Sequence, residues 1–201
     1  MTMNVRLLFV GLALMVAGQG SSAQSLESEW PCIQRQTGPL SAGILWPRPM
    51  DDLPELSEEA ETLVAPLALR RVQVEDAEGL VRDFADTHPD VAPEQVDAVF
   101  ATVFRRINRD RDRVLGGITR YAQSQIALSR RIDAAQAELA KLEAEDSQDF
   151  DRFDALEEQL DWDRRIYQDR ERSLTYVCET PVILEKRAYA VAQMLLPLVA
   201  D

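Results

Sequence analysis

The sequence predicts an all-α protein. The expected architecture is a long antiparallel coiled-coil helical hairpin, packed at its base against shorter helices and preceded by an extended Pro/Trp-rich strap. Three observations carry this. Seven-residue steps from Phe100 place Phe104, Ile107, Arg111, Val114, Ile118, Tyr121, Gln125, Leu128, Ile132, Ala135, Leu139 and Leu142 in an unbroken four-three spacing. That spacing marks a coiled-coil seam. The polar stretch "AEDSQD" at 144–149 then separates this run from a second one, and a short turn between two seams folds them antiparallel. Finally, neither an alternating strand pattern nor a hairpin dipeptide stands out.

The chain opens "MTMNVRLLFVGLALMVAGQGSSAQS", with Arg6 before an apolar run from Leu7 to Ala17 and small residues at Ser21 and Ala23. This reads as a signal peptide over residues 1–23, cleaved after Ala23, with retention as an N-terminal anchor the alternative. The run is shorter than the roughly 20 apolar residues that span a bilayer, so no stable membrane span is expected after cleavage. The expected location is periplasmic, or secreted. Formal net charge is −13 for the whole chain and one unit more negative once Arg6 is lost. Such acidity argues against nucleic acid and anionic membrane surfaces as partners.

Cys32 and Cys178 are the two cysteines. In an oxidising compartment a disulfide between them is expected; a free pair or a bond between chains are the alternatives. The loop it closes spans nearly all of the mature chain, and the loop-entropy model gives an upper stabilisation of roughly 5 kcal/mol. The spacing excludes a CxxC exchange motif and a CxxCH haem attachment.

Residues 24–56 form the strap. "WPCIQRQTGPLSAGILWPRP" (30–49) concentrates Trp30, Trp46, Cys32 and four prolines, which predicts an extended, irregular course. The helical domain follows at 57–201. Ser57 caps a helix whose Glu58, Glu59 and Glu61 favour its positive end, and Pro66 should kink or shorten it. A second helix is expected over Val74–Thr87, with Val74, Leu80, Val81 and Phe84 as its apolar face. "THPDVAP" breaks the chain, and Pro93 suits the first turn of the next helix.

The hairpin arms are expected at about 94–144 and 148–178, with Asp146 or Ser147 as N-cap of the second. Gly116 and Gly117 weaken the first arm by about 1 kcal/mol each without shifting its register. On the second arm Phe153, Leu156, Leu160, Tyr167, Leu174 and Val177 keep the rhythm, Asp163 and Arg170 interrupt it, and Trp162 and Ile166 flank it. Pairing outward from the turn sets Leu142 near Phe153, Ala135 near Leu160, Leu128 near Tyr167 and Gln125 near Arg170, a polar layer of the kind that fixes register. The arms should be on the order of 40–50 Å long. A separate terminal helix at 181–196, capped by Thr180 with Pro181 in its first turn, would bury Val182, Ile183, Tyr189, Ala192, Leu195 and Leu196.

No catalytic constellation emerges. His88 is the sole histidine and is expected exposed in a loop. Asn108, Asp110 and Asp112 match the first positions of a calcium loop, but Arg113 and Thr119 stand where Gly and Glu are needed; these charges read as pairs three and four apart on a helix. The acidic tip (Glu143, Glu145, Asp146, Asp149, Asp151, Asp154) reads as a solvated turn. The design is shared, as architecture only, with periplasmic coiled-coil chaperones and the hairpins of efflux adaptors.

The functional expectation is an exported, non-enzymatic helical adaptor of the bacterial envelope, presenting its hairpin to an envelope protein and needing no cofactor. The interrupted second seam adds the expectation of a homodimer. The alternative is a periplasmic small-ligand-binding or accessory protein with a pocket under the Trp30–Trp46 segment. Trp30, Trp46, Gln125 and Arg170 are the candidate binding surface. In a plainer role, Trp30, Ile33, Leu45 and Trp46 would cover the terminal helix, pinned there by Cys32–Cys178.

Overall fold

The computed structural model describes residues 30–145 and 149–200. The expected signal peptide over 1–23, residues 24–29, and the expected caps Asp146 and Ser147 lie outside them. Within the described residues there are five α-helices and no strand: α1 (Ala42–Leu45), α2 (Glu58–Ala68), α3 (Val74–Thr87), α4 (Pro93–Ala144) and α5 (Phe150–Leu195), the last running into a 3-10 turn at Leu196–Leu198. Helices α4 and α5 pack along each other as a helical hairpin, and α2 and α3 pack on its base.

The seam read from the sequence is the seam that forms. Each α4 position named above from Phe100 to Leu142 is buried or half-buried. Toward the tip the core thins to Ala135, Leu139 and Leu160, flanked by Ile132, Phe153 and Leu156, in keeping with the expected register. Asp149, rather than Asp146 or Ser147, caps α5 by accepting a hydrogen bond from the Arg152 amide at 3.2 Å.

The second arm and the expected terminal helix are one helix. Pro181 lies inside α5 and is buried, where it removes the amide that would bond to the Val177 carbonyl. The helix continues because the packing face runs on in step through Cys178, Pro181, Leu184, Ala188, Val191 and Leu195, all buried. One lost backbone bond is outweighed by a seam that would otherwise be broken. At 46 residues α5 is about 70 Å long, well beyond the expected arm. The face is also rotated from the expected one: Val177, Ile183 and Tyr189 are exposed, as is Trp162.

The base holds the main core. Leu63, Leu67, Val81 and Phe84 from α2 and α3 meet Val96, Val99, Phe100, Val103 and Ile107 of α4, and Leu184, Val191 and Leu195 of α5. Ser57 caps α2 as expected, accepting from the Ala60 amide, and α2 ends two residues after Pro66. On α3, Ala77 joins Val81 and Phe84 in the core while Val74 and Leu80 stay 40 % exposed. His88 is half-buried rather than exposed: it ends α3 and stacks on Phe84 with ring centroids 4.7 Å apart.

Two buried cations tie the layers together. The Arg187 guanidinium, on α5, donates to the Leu67, Val72 and Pro66 carbonyls at 2.8, 2.6 and 2.8 Å. It thereby satisfies carbonyls that the last turn of α2 leaves unpaired. Burial pushes its pKa below the ordinary arginine value. Arg111, polar in an apolar seam, is fully buried, and its Nε donates to Glu185 of α5 at 2.8 Å.

Asp163 is no gap in the second seam either. It is 2 % exposed and accepts a forked pair of hydrogen bonds from Arg131 of α4. That hydrogen bond raises the Arg131 pKa above the ordinary arginine value.

Candidate functional site

The strap is held at three points along the hairpin. Cys32 and Cys178 form the expected disulfide, with Cα atoms 5.6 Å apart. The Thr37 carbonyl and hydroxyl both accept from Arg111 Nη2, and the Thr37 hydroxyl donates to Glu185 at 3.1 Å. Farther down, Trp46 is 1 % exposed and stacks on Phe100 at 4.4 Å. Its indole N–H donates to the buried Asp97 carboxylate at 2.8 Å, which Arg48 also grips through Nε and Nη2 at 2.9 and 3.1 Å. The disulfide fits an oxidising extracellular compartment. Among the described residues no helix is long and apolar enough to cross a membrane.

Where the strap meets the arm it encloses a groove of about 720 Å³. One wall is the strap from Pro31 to Gln34; the others are the α4 face around Gln125, Ile126 and Ser129, and the α5 face around Tyr167, Leu174 and Cys178. The disulfide ties the strap wall to the α5 wall. Arg130, Glu171 and Glu179 line it as its charged groups.

Gln125 is the groove's buried polar residue, 8 % exposed. Its Nε2 donates to the Tyr167 carbonyl at 3.2 Å, which fixes the amide's orientation, and its Oε1 has no hydrogen-bond partner in the protein. The predicted opposite number, Arg170, lies one turn along α5; its carbonyl accepts from the Tyr121 hydroxyl at 3.1 Å.

The four residues expected to form a binding surface therefore separate. Trp46 is a core anchor about 37 Å along α4 from Gln125, counting from its stacking partner Phe100. Trp30 is half-buried and folds onto its own turn, donating to the Gln34 carbonyl at 2.7 Å. Neither tryptophan lines the groove; only the segment just after Trp30 does. Ile33 points to solvent and covers no helix. The groove's Ile126, Glu171 and Glu179 had no signal in the sequence, since each flanks a seam and becomes a wall only when the strap crosses it.

The other sequence candidates resolve into local pairs. Asp110 bonds Arg113 at 2.8 Å and Asn108 reaches Asp112 at 3.5 Å, pairs three and four apart. Among the described residues no three His, Cys, Asp or Glu side chains converge to hold a metal. A second, more apolar groove of about 600 Å³ lies between α3 and the end of α5, lined by Val74, Val81, Tyr189 and Met194 among others. Compared with family models, curated proteins and solved structures, the chain matches none of them.

Proposed function

We propose that the protein is an exported, non-enzymatic helical adaptor of the bacterial envelope, which holds a two-helix arm away from its base for another envelope protein to bind. One observation supports this above the rest. Beyond the groove the arm consists, among the described residues, of the two helix segments 131–144 and 150–166, a projection of roughly 20–25 Å. Its thin core faces inward, and it carries Phe150 and Trp162 on the outside at 71 % and 61 % exposure. In this reading these two side chains, placed on the projecting element, are the ones that meet the partner.

The partner in this reading is a different protein. The dimer was inferred from the interrupted second seam, and Asp163 is answered inside the arm by Arg131. Export rests on the residue 1–23 leader together with the disulfide, and N-terminal sequencing of the mature protein should begin at Gln24. A photo-crosslinking residue at 162 should trap a discrete heterologous species in intact cells, while the same residue at Ile44 on the base does not. No adduct from 162, or equal adducts from both positions, refutes the adaptor reading. Light scattering should give a monomer at all concentrations.

A further inference from the structure

We propose that the Cys32–Cys178 disulfide is a redox-operated clasp: its reduction frees the strap from Trp30 to Gln36 and uncovers one face of the hairpin, while the rest of the fold stands. The inference is independent of the adaptor reading, because it concerns the strap and the part of the hairpin on the base side of the arm.

The strap's attachments make the opening local. Among the described residues, the disulfide is the one bond, covalent or hydrogen, that ties 30–36 to the hairpin; the Trp30 indole donates within the strap, to Gln34. Packing adds little, since every residue from Ile33 to Gln36 is exposed and Ile33 completely so. Without backbone bonds or buried side chains, this segment has only its covalent tie to set against the entropy cost of being ordered. The next hold is Thr37, gripped by Arg111 and donating to Glu185, and beyond it Trp46 and Arg48 on Asp97. Both holds rest on buried charges that reduction does not touch, so the opening stops at Thr37.

The face beside the strap differs from the face beyond it. In seven-residue steps along one flank of the α4 seam, Leu115, Ala122 and Ser129 are buried or half-buried, whereas Gln136 and Glu143 are exposed. On the other flank Thr119 and Ile126 are half-buried, and Asp133 and Ala140 are exposed. Ala122, Ile126 and Ser129 share one groove with strap residues Pro31 to Gln34, and Leu174 faces them from α5. Flank positions of a two-helix seam are normally polar and solvated; here they are covered where the strap runs and open where it does not. Release of the strap therefore brings Ala122, Ile126 and Leu174 into water.

The exchange starts at Cys32, which is half-buried between the exposed Pro31 and Ile33, while Cys178 is 6 % exposed. A thiolate of an external dithiol bonds to Cys32 Sγ and breaks the S–S bond; Cys178 leaves as thiolate and takes a proton. The second thiol of the reductant then attacks its own bound sulfur and expels the Cys32 thiolate, which is protonated in turn. Two electrons pass to the protein, and the dithiol becomes a disulfide. An external disulfide drives the same steps backwards, and the Thr37 hold keeps Cys32 close to Cys178 for reclosure.

The test treats the mature oxidised protein with dithiothreitol at room temperature, with iodoacetamide trapping to score the thiols, and reads side-chain exposure by hydroxyl-radical footprinting. Reduction should raise modification of Ile126 and Leu174 severalfold and let iodoacetamide reach Cys178. Leu67, Val99 and Val191 in the base, and the near-ultraviolet dichroism of Trp46 on Phe100, should not change, although the thermal midpoint falls. The double variant Cys32→Ser with Cys178→Ser should show the open footprint with or without dithiothreitol. Loss of the Trp46 signal or new labelling of the base would make the disulfide a staple of the whole fold and overturn the proposal. So would confirmed thiols with an unchanged footprint at Ile126 and Leu174, or a disulfide that dithiothreitol reduces only once the protein is unfolded.

Discussion

Replacing Arg187 tests the tie between the short helices and the hairpin. Its side chain crosses from α5 to the end of α2 and donates to three carbonyls, at 4 % exposure. Arg187→Met keeps most of the buried stem and removes the fork. Pro66 and Leu67 then have unpaired carbonyls in the last turn of α2, because the Leu69 amide already goes to Ala65, and Val72 loses its donor in the following turn. At about 1–3 kcal/mol for each buried group left unsatisfied, discounted because the turn can open to water, the loss should be about 3–5 kcal/mol. That is a large share of the roughly 5–15 kcal/mol typical of a folded domain.

Urea unfolding followed by far-ultraviolet circular dichroism measures it as a fall in midpoint at constant slope. Arg187→Lys keeps the charge and a single-point donor, and should lose about half as much. The pH dependence has a definite sign. Burial lowers this cation's pKa in the fold, so the fold carries a desolvation cost wherever the group is charged, and gains relative stability only above the folded value. That value belongs to an arginine, so the variant's deficit should be flat from about pH 5 to pH 9. A loss under about 1 kcal/mol would refute the reasoning, since the three carbonyls would then have found water at no cost.

Three further outcomes follow from other contacts. Cys32→Ser opens a loop with a sequence separation of 146 and should cost about 2–4 kcal/mol, lowering Tm by roughly 5–15 °C; a reductant should do the same to the natural protein, and an unchanged Tm would mean the strap is held by Asp97 and Arg111 alone. Asp163→Leu removes a buried carboxylate and completes the apolar seam, so Tm should stay level or rise; a clear drop would show that the pair with Arg131 holds the arm together. Glu59 has its carboxylate pKa lowered from 4.5 by its own backbone amide and by Ser57. Its contribution to stability is therefore present above pH 4.5 and lost as pH falls through the lower folded value; acid titrations of Glu59→Gln should lack that increment, and identical profiles would count against it.

The fold was legible wherever one helix's own periodicity specifies it. Thirteen seam positions from Phe100 to Leu142 could be read because burial there depends on spacing alone, and the disulfide because two cysteines in an oxidising compartment leave one intramolecular pairing. Local rules failed where a distant partner decides. A Thr-Pro pair reads as a helix start, yet the chain stays helical through Pro181 because Leu184, Ala188 and Val191 keep the seam against α4. Arg187 gives no signal in its own stretch of sequence because the carbonyls it serves lie some 120 residues earlier. Trp46 looked like a contact residue by composition, and only Asp97 and Phe100, on another element, make it an anchor.

These misses share a physical cause. Asp97, Arg111 and Arg187 are buried charges in the two long helices, and each is satisfied by a peripheral segment: the strap for Asp97, the strap and α5 for Arg111, the end of α2 for Arg187. A buried charge deprived of its partner is far more destabilising than a lost apolar contact, so these three sites specify where the strap and short helices must dock.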